Sequence, residues 1–400
     1  MTEAVIVATA RTPIGRANKG SLVDWRPDDL SALIIDALLA KVPQLPKDQI
    51  EDVVWGCGQP AGEAGTNVAR VAALLAGIDA PGVTVNRYCS SSLQTIRMSA
   101  HAIKAGEGDV FVAGGVETVS RFRNGLADTG PGNPKFLEAT ARSAERANGG
   151  QGAWKPPSGL PDVYIAMGQT AENVVEAEGV AREEMDRFAK QSQDRSVASQ
   201  ESGFFDREIT PVPGADGALV TKDDGPRAGT TLEKLAELKP VFRPDGSVTA
   251  GNACPLNDGA AAVVVMSDSR AQALGITPLA RVVSSGVSSL NPEIMGLGPI
   301  EASRQALARA GMTIDAIDLV EINEAFAAQV IPSAKQLGIG WDKLNVHGGA
   351  IALGHPFGMT GARIMTTLIN GLQDVDGRYG LETMCVGGGQ GMAMIIERLG

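Results

Sequence analysis

Cys89 is the first residue whose setting suggests chemistry. The run "GVTVNRYCSSSLQTIRMSAHAIKAG" (82–106) reads as a strand, a sharp turn and a helix, with Cys89 at the turn. A helix start presents unpaired N–H groups and positive partial charge. Such a place lowers a thiol pKa and favours a nucleophile. Ser90, Ser91 and Ser92 follow, and are expected to cap the first turn with their hydroxyls. A small cysteine packed at a tight turn would give the same local pattern, so the stretch alone leaves both readings open.

The chain has three histidines: His101, His347 and His355. The last two lie in "NVHGGAIALGHPFGMTGARIM" (345–365), which holds five glycines. Glycine serves where the backbone needs unusual torsions or must approach something closely. Pro356 fixes the chain just after His355. The expectation is a rigid, exposed ring nitrogen within reach of a ligand; the alternative is a histidine satisfied inside a turn. His101 falls in the middle of the helix after Cys89 and is expected to be structural or solvent-facing. Cys385 precedes "VGGGQG", a glycine turn whose N–H groups could converge on a developing negative charge. Asn323 and Glu324, in "INEAFA", end a strand, where α/β sheets tend to bind ligands. Each of these signals is weak alone.

The elements that must position these residues alternate. "AVIVAT" (4–9) reads as a buried strand, and 28–42 as a helix with Leu30, Ile34, Leu38 and Val42 on one face. Strands follow at 51–58 and 108–117, and the helix after Cys89 carries Leu93, Ile96, Ala100 and Ile103 as its stripe. This is an α/β layout. Residues from about 120 to 250 are rich in Gly, Pro and charge, with one good helix at 181–202, and read as an inserted domain of loops and a few helices. The last third echoes the first: 318–327 sits where 52–61 sits, the His355 stretch parallels the Cys89 stretch, and "LETMCVGGGQGMAMII" parallels "GDVFVAGGVETVS". The boundaries so read are 1–119 for a first half completed by about 251–270, 120–250 for the insertion, and 271–400 for a second half.

Composition limits the function. The net charge of −11 with no basic stripe argues against nucleic acid. No apolar run approaches the ~18–20 residues of a membrane helix, and the start lacks a signal-peptide pattern, so a cytoplasmic protein is expected. The four cysteines (Cys57, Cys89, Cys254, Cys385) are far apart with no C-x-x-C pair, so neither a metal site nor a disulfide frame is expected. A G-x-x-x-x-G-K-[ST] loop is absent, as is a G-x-G-x-x-G after the first strand.

Taken together, the motifs resemble the thiolase family. "NRYCSSSLQ", "NEAFA", "GGAIALGHPFGMTGAR" and "CVGGGQG" correspond to its four signatures, in family order. "GGVETVS", "AMGQTAENV", "PRAGTTLEKLAELKP" and "VTAGNACPLNDGAAA" match further segments, so the resemblance spans essentially the whole chain. It implies two similar α/β halves stacked as five layers (αβαβα) with an inserted loop domain. It implies cleavage of a 3-ketoacyl-CoA by CoA, or the reverse condensation, with CoA and acyl-CoA as substrates and no metal or permanently bound cofactor. Cys89 would carry the acyl group, His355 would deprotonate it, and Cys385 would exchange a proton with the acetyl methyl carbon. Asn323 would hold a water in one oxyanion hole; the N–H groups of Cys89 and Gly387 would form the other. Arg227 would lie near the nucleotide end of CoA, with Met167 and Phe326 along the pantetheine and acyl region. A homodimer or homotetramer is implied.

Several positions depart from the family pattern: Ser92 for glycine, His347 for asparagine, Cys254 and Pro255 for a serine and glycine, and Ala166 for a polar residue. The serine replaced by Cys254 contacts pantetheine in the family, which puts that contact in doubt. The "NR-x-CSS" form leans toward degradative members acting on 3-ketoacyl-CoA. The rivals are a short-chain acetoacetyl-CoA-forming enzyme and a non-catalytic protein of the same fold that binds CoA esters. Decarboxylating ketosynthase relatives usually carry histidine where Cys385 stands.

Overall fold

The structure, a computed structural model, describes residues 2–122, 130–150, 152–214 and 217–400. Its centre is a ten-stranded sheet. The strands of the first half are β1 (Ala4–Arg11), β2 (Gly15–Arg16), β3 (Asp52–Gly56), β4 (Gly82–Val85), β5 (Val110–Thr118) and, after a long excursion, β8 (Asn257–Ser267). Between β5 and β8, β6 (Val212–Pro213) and β7 (Leu219–Val220) form a separate two-stranded ribbon. The second half supplies β9 (Ala280–Ser289), β10 (Leu319–Ile322), β11 (Tyr379–Val386) and β12 (Gln390–Arg398).

The order across the sheet is β4-β3-β5-β8-β1-β9-β12-β11-β10, with β2 on β8. The internal echo read in the sequence is therefore spatial. β10 takes the place of β3, β11 of β5, β12 of β8 and β9 of β1. A parallel bridge from Val320 to Leu344 stands where β4 stands beside β3. The halves join through a short antiparallel contact of Val5 and Ile6 with Arg281 and Ala280.

Alternation along each strand divides the interior into three cores. In β8, Ala260, Ala262 and Val264 face one core while Ala261, Val263 and Val265 face the next. In β12, Met392 and Met394 face the middle core while Ala393 and Ile395 face the third. α1 (Pro27–Ala40) and α2 (Val68–Leu75) cover the first half from outside, and Leu30, Ile34 and Leu38 of α1 are buried as the spacing predicts. α3 (Ser91–Ala105) fills the middle layer with the whole expected stripe: Leu93, Ile96, Ala100 and Ile103.

The excursion holds a few helices among its loops, as expected: α4 (Leu137–Ala147), α5 (Met167–Glu178), α6 (Arg182–Glu201), which is the one singled out in the sequence, and α7 (Leu232–Ala236). α5 sets Met167, Ala171 and Val175 against the third core and also buries Gln169, Glu172 and Asn173. Arg243 binds Gln169 and Asn173, and the Ser247 and Val248 N–H groups donate to Glu172. α4 buries only Ala139.

The short α8 (Asp268–Ala273) follows β8. α9 (Gly298–Ala310) and α10 (Ala327–Leu337) cover the second half from outside. α11 (Ala350–Leu353) is a single turn, and α12 (Thr360–Asp374) lies beside α3 in the middle layer through Ile364, Met365, Leu368 and Ile369. Among the described residues no helix is long and apolar enough to cross a membrane.

Candidate active site

Cys89 sits in a tight 3-10 turn, Tyr88–Ser90, between β4 and α3. Tyr88 adopts a left-handed φ of 42°, and its N–H donates to Asn86 Oδ1 at 2.8 Å, an Asx turn that lets a bulky residue hold this torsion. The three serines do not cap α3 through its N-terminal N–H groups, as the sequence suggested. Ser90 Oγ donates to the Arg87 carbonyl, Ser91 Oγ donates to the Tyr88 carbonyl, and the Arg87 N–H donates to Ser91 Oγ. Ser92 Oγ accepts the Ala362 N–H at 2.9 Å and so ties the start of α3 to α12.

Cys89 is 8% exposed. Its pKa is not lowered, as the sequence reading expected. Burial pushes the thiol up to about 11, with Glu117 adding to the rise, while the N–H groups of Gly387 and of Cys89 itself pull the other way and lose. Those two N–H groups are nonetheless aimed at the sulfur. Cys385, near the end of β11, is wholly buried, and its thiol is pushed well up by burial and then by Cys89 and Cys254. Cys254 is likewise pushed up by burial and then by Cys89. The three thiols are thus within electrostatic reach of one another. Cys254 is held there because its N–H donates to the Ala325 carbonyl at 3.0 Å, beside the Asn323–Glu324 segment.

His355 is 1% exposed, which corrects the expectation of an exposed ring. Its Nδ1 lies 2.7 Å from Thr360 Oγ1, whose proton goes to the Pro356 carbonyl at 2.8 Å. Thr360 therefore accepts from Nδ1–H, which leaves Nε2 as the lone-pair nitrogen. Asn323 Nδ2 lies 3.3 Å from Nε2. Burial, and then Arg363, lower the imidazole to about 3, so it is neutral at physiological pH. Asn323 Oδ1 is buried without a partner, an acceptor open to a water or a substrate donor.

The glycines around His355 admit the protein's own chain. A side-chain carbon at Gly348 would lie 2.0 Å from Ser196 Oγ, at Gly349 2.3 Å from the Glu324 carboxyl, at Gly354 2.5 Å from the Asn257 carboxamide, and at Gly358 2.2 Å from the Val116 carbonyl. Glu324, adjacent to Asn323, is spent internally: it accepts from Ser192 Oγ, Asn345 Nδ2 and the Ile351 N–H.

Three supports were not read from the sequence. Asn257 Oδ1 accepts the His355 N–H at 3.0 Å while its Nδ2 holds the Gly15 carbonyl. Thr360 sets the His355 tautomer. Glu117, at the end of β5, accepts the N–H groups of Gly58, Gln59 and Gly358, and lies beside the Cys57 thiol. Its place at a strand C-terminus in "GGVETVS" was a usable signal; Asn257, almost a hundred residues from His355, gave none.

The remaining candidates are placed as follows. Arg227 is exposed, and Arg16 feels its charge. Met167 begins α5 and packs, with Phe242, against the core that contains Phe326. His101 is exposed. His347 stacks on Phe204 with ring centroids 3.5 Å apart, and its Nδ1 meets Ser199 Oγ, so it belongs to the packing of α6. Among the described residues no three His, Cys, Asp or Glu side chains converge as a metal site.

Three buried thiols within electrostatic reach of one another, with the Gly387 and Cys89 N–H groups on one of them, stand on a duplicated α/β frame, an arrangement suited to acyl transfer. Family models agree: the thiolase N-terminal domain matches residues 4–269 and the thiolase C-terminal domain residues 276–398. The chain is 44% identical to a beta-ketoadipyl-CoA thiolase of Acinetobacter baylyi and 45% identical to a 3-ketoacyl-CoA thiolase of Shewanella putrefaciens, each over the full length of both proteins. The crystal structure of the Bacillus anthracis acetyl-CoA acetyltransferase superposes with a TM-score of 0.85 at 38% identity, covering 100% of this chain and 99% of that one. The chain belongs to the thiolase family.

Proposed function

We propose that the chain cleaves 3-ketoacyl-CoA with free CoA through a thioester on Cys89. The observation that carries this reading is the setting of the Cys89 sulfur, held against the N–H groups of Gly387 and Cys89 and within electrostatic reach of Cys385. His355 Nε2 takes the Cys89 proton as the sulfur attacks C3 of the ketoacyl group. The oxyanion at C3 is held by the two N–H groups. The C2–C3 bond breaks, its electron pair stays on C2 as the acetyl-CoA enolate beside Asn323, and Cys385 delivers a proton to C2. CoA then enters and gives its thiol proton to the Cys385 thiolate. Its sulfur attacks the acyl carbon, and Cys89 leaves, recovering its proton from the imidazolium. Every group ends as it began.

Exposed Arg227, with Arg16 near it, offers positive charge to the phosphates of CoA, while Met167, Phe326 and Cys254 flank the pantetheine and acyl path. The degradative direction is supported by the names of the relatives from Acinetobacter and Shewanella. The acetyltransferase from Bacillus anthracis favours a second reading, condensation of two acetyl units. All four cysteines are free, a state that a reducing cytoplasm maintains.

The test uses mass spectrometry and thiolysis side by side. After incubation with acetyl-CoA, the wild type and Cys385→Ser should each gain one acetyl group on the Cys89 peptide. His355→Ala should lose this acylation. Thiolysis should fall by about 10²–10⁴ in both His355→Ala and Cys385→Ser. Acetylation persisting in Cys89→Ala, or near-normal thiolysis by Cys385→Ser, would overturn the assignment.

A further inference from the structure

Beyond the reach of the acyl-transfer groups, α3 borders a second cavity of ≈ 370 Å³. Arg97, His101 and Lys104 line it from one face of the helix, Arg309 from the end of α9, and Ser284 and Ser285 from β9. Arg97 to Lys104 lie roughly 12–22 Å beyond Cys89 along the helix axis. No carboxylate lines the cavity. The hydrogen bonds of its cations go to neutral oxygens: Arg97 Nε to Ser285 Oγ at 3.1 Å, Lys104 Nζ to the Val282 carbonyl at 3.1 Å, and an Arg309 guanidinium nitrogen to the Ser285 carbonyl at 2.5 Å.

This is unusual for a chain of net charge −11. Fully buried Arg11 is neutralised by Glu208 and Asp223, whereas part-buried Arg97 and the exposed Lys104 and Arg309 have no carboxylate among the cavity's lining residues. Here like charges face one another. Burial holds Arg97 below its ordinary pKa, and Arg87 and Arg309 add to the effect; His101 is lowered by burial and then by Arg97, Lys104 and Arg309. Lys104 and Arg309 sit in the last turns of α3 and α9, where a cation complements the helix dipole. Arg97, in mid-helix, has no such compensation.

We propose that this cavity binds a compact multivalent phosphate oxyanion, at a site separate from the one around Cys89. Two guanidinium forks and an ammonium supply the donors such an anion needs, in directions that bidentate contact favours. The volume leaves room for a phosphoryl group with a small organic remainder. The anion would be free inorganic phosphate or the phosphoryl end of a small ester.

Calorimetric titration of the full chain with inorganic phosphate, at constant ionic strength and with CoA saturating, tests the site. One saturable site per chain is expected. Lys104→Met combined with Arg309→Met should weaken it roughly tenfold or more while leaving thiolysis unchanged. Independently of any variant's folding, the His101 ring signals of the wild type should move on titration while those of His347 and His355 stay. Ribose 5-phosphate serves as the ester arm; saturable binding by either probe at this site supports the proposal, and the tighter one names the source. No saturable binding, displacement by CoA, unchanged affinity in the double variant, or an unmoved His101 signal would each overturn it.

Discussion

Burial has the same consequence for both groups proposed to exchange the first proton. It raises the Cys89 thiol to about 11 and lowers the His355 imidazole to about 3, and each shift favours the neutral form. On the proposed mechanism the resting groups are a neutral thiol and a neutral imidazole, and the thiolate forms as the sulfur attacks a carbonyl whose oxyanion the N–H groups can hold. This distinguishes the site from a preformed thiolate–imidazolium pair. Alkylation of Cys89 by iodoacetamide in the free enzyme should rise about tenfold per pH unit from pH 7 toward 10, following the thiolate fraction. A plateau with a midpoint near 6–7 would mean that an ion pair exists at rest.

At the scale of elements, the site is assembled by clasps between segments distant in sequence. Glu117 gathers the Gly58–Gln59 turn and the Gly358 N–H, so β5 fixes the loop that carries His355. Burial lifts its carboxyl to about 7, against the pull of those N–H donors. The sign follows: a carboxyl raised above its unfolded value binds more protons in the folded state, so its contribution to stability falls as pH rises from about 4.5 to 7. Glu117→Gln should remove that slope in urea unfolding measured across the window. An amide at this place also turns an NH₂ group toward N–H donors. Leaving such groups unsatisfied costs ~1–3 kcal/mol, and kcat should fall about tenfold with KM little changed as the His355 loop shifts. An unchanged kcat would mean that the clasp does not position His355.

The same clasps explain which elements were legible in the sequence. α3 shows its stripe because it packs apolar surface against the sheet, whereas the buried polar groups of α5 are completed by distant partners: Arg243, the Phe242 and Glu293 carbonyls and the 247–248 backbone. Gly354, at φ 117°, marks its own constraint in the sequence, but its partner, the Asn257 side chain, does not.

Across the whole molecule, β4 ends the sheet order, and among the described residues one edge of it faces no strand. Leu74 and Leu75 on α2, which packs beside β4, are 57% and 54% exposed, and Tyr88 and Met98 are also exposed nearby in sequence. An open edge flanked by apolar side chains is a surface for pairing. Closed two-fold association is the commonest solution for soluble chains. Light scattering at micromolar concentration should give at least twice the 41.4 kDa chain mass. Thr84→Pro, which places a ring on the outer edge of β4, should shift the population toward monomer; a wild type monomeric at that concentration would exclude pairing through this edge.

The amino-acid sequence by itself determined the duplicated α/β frame, because periods of two and 3.6 are written in local apolar spacing and repeat in the two halves. It also determined which cysteines and which histidine carry the family pattern. Burial, protonation and tautomer were decided by tertiary structure. A helix start suggests an acidic thiol, yet desolvation by three packed layers outweighs two N–H groups at Cys89. A glycine-flanked histidine suggests exposure, yet those glycines admit Asn257, Glu324 and the Val116 carbonyl. These outcomes depend on residues brought together from up to about 300 positions apart, such as Cys89 and Gly387, and local sequence carries no record of the dielectric that such neighbours create.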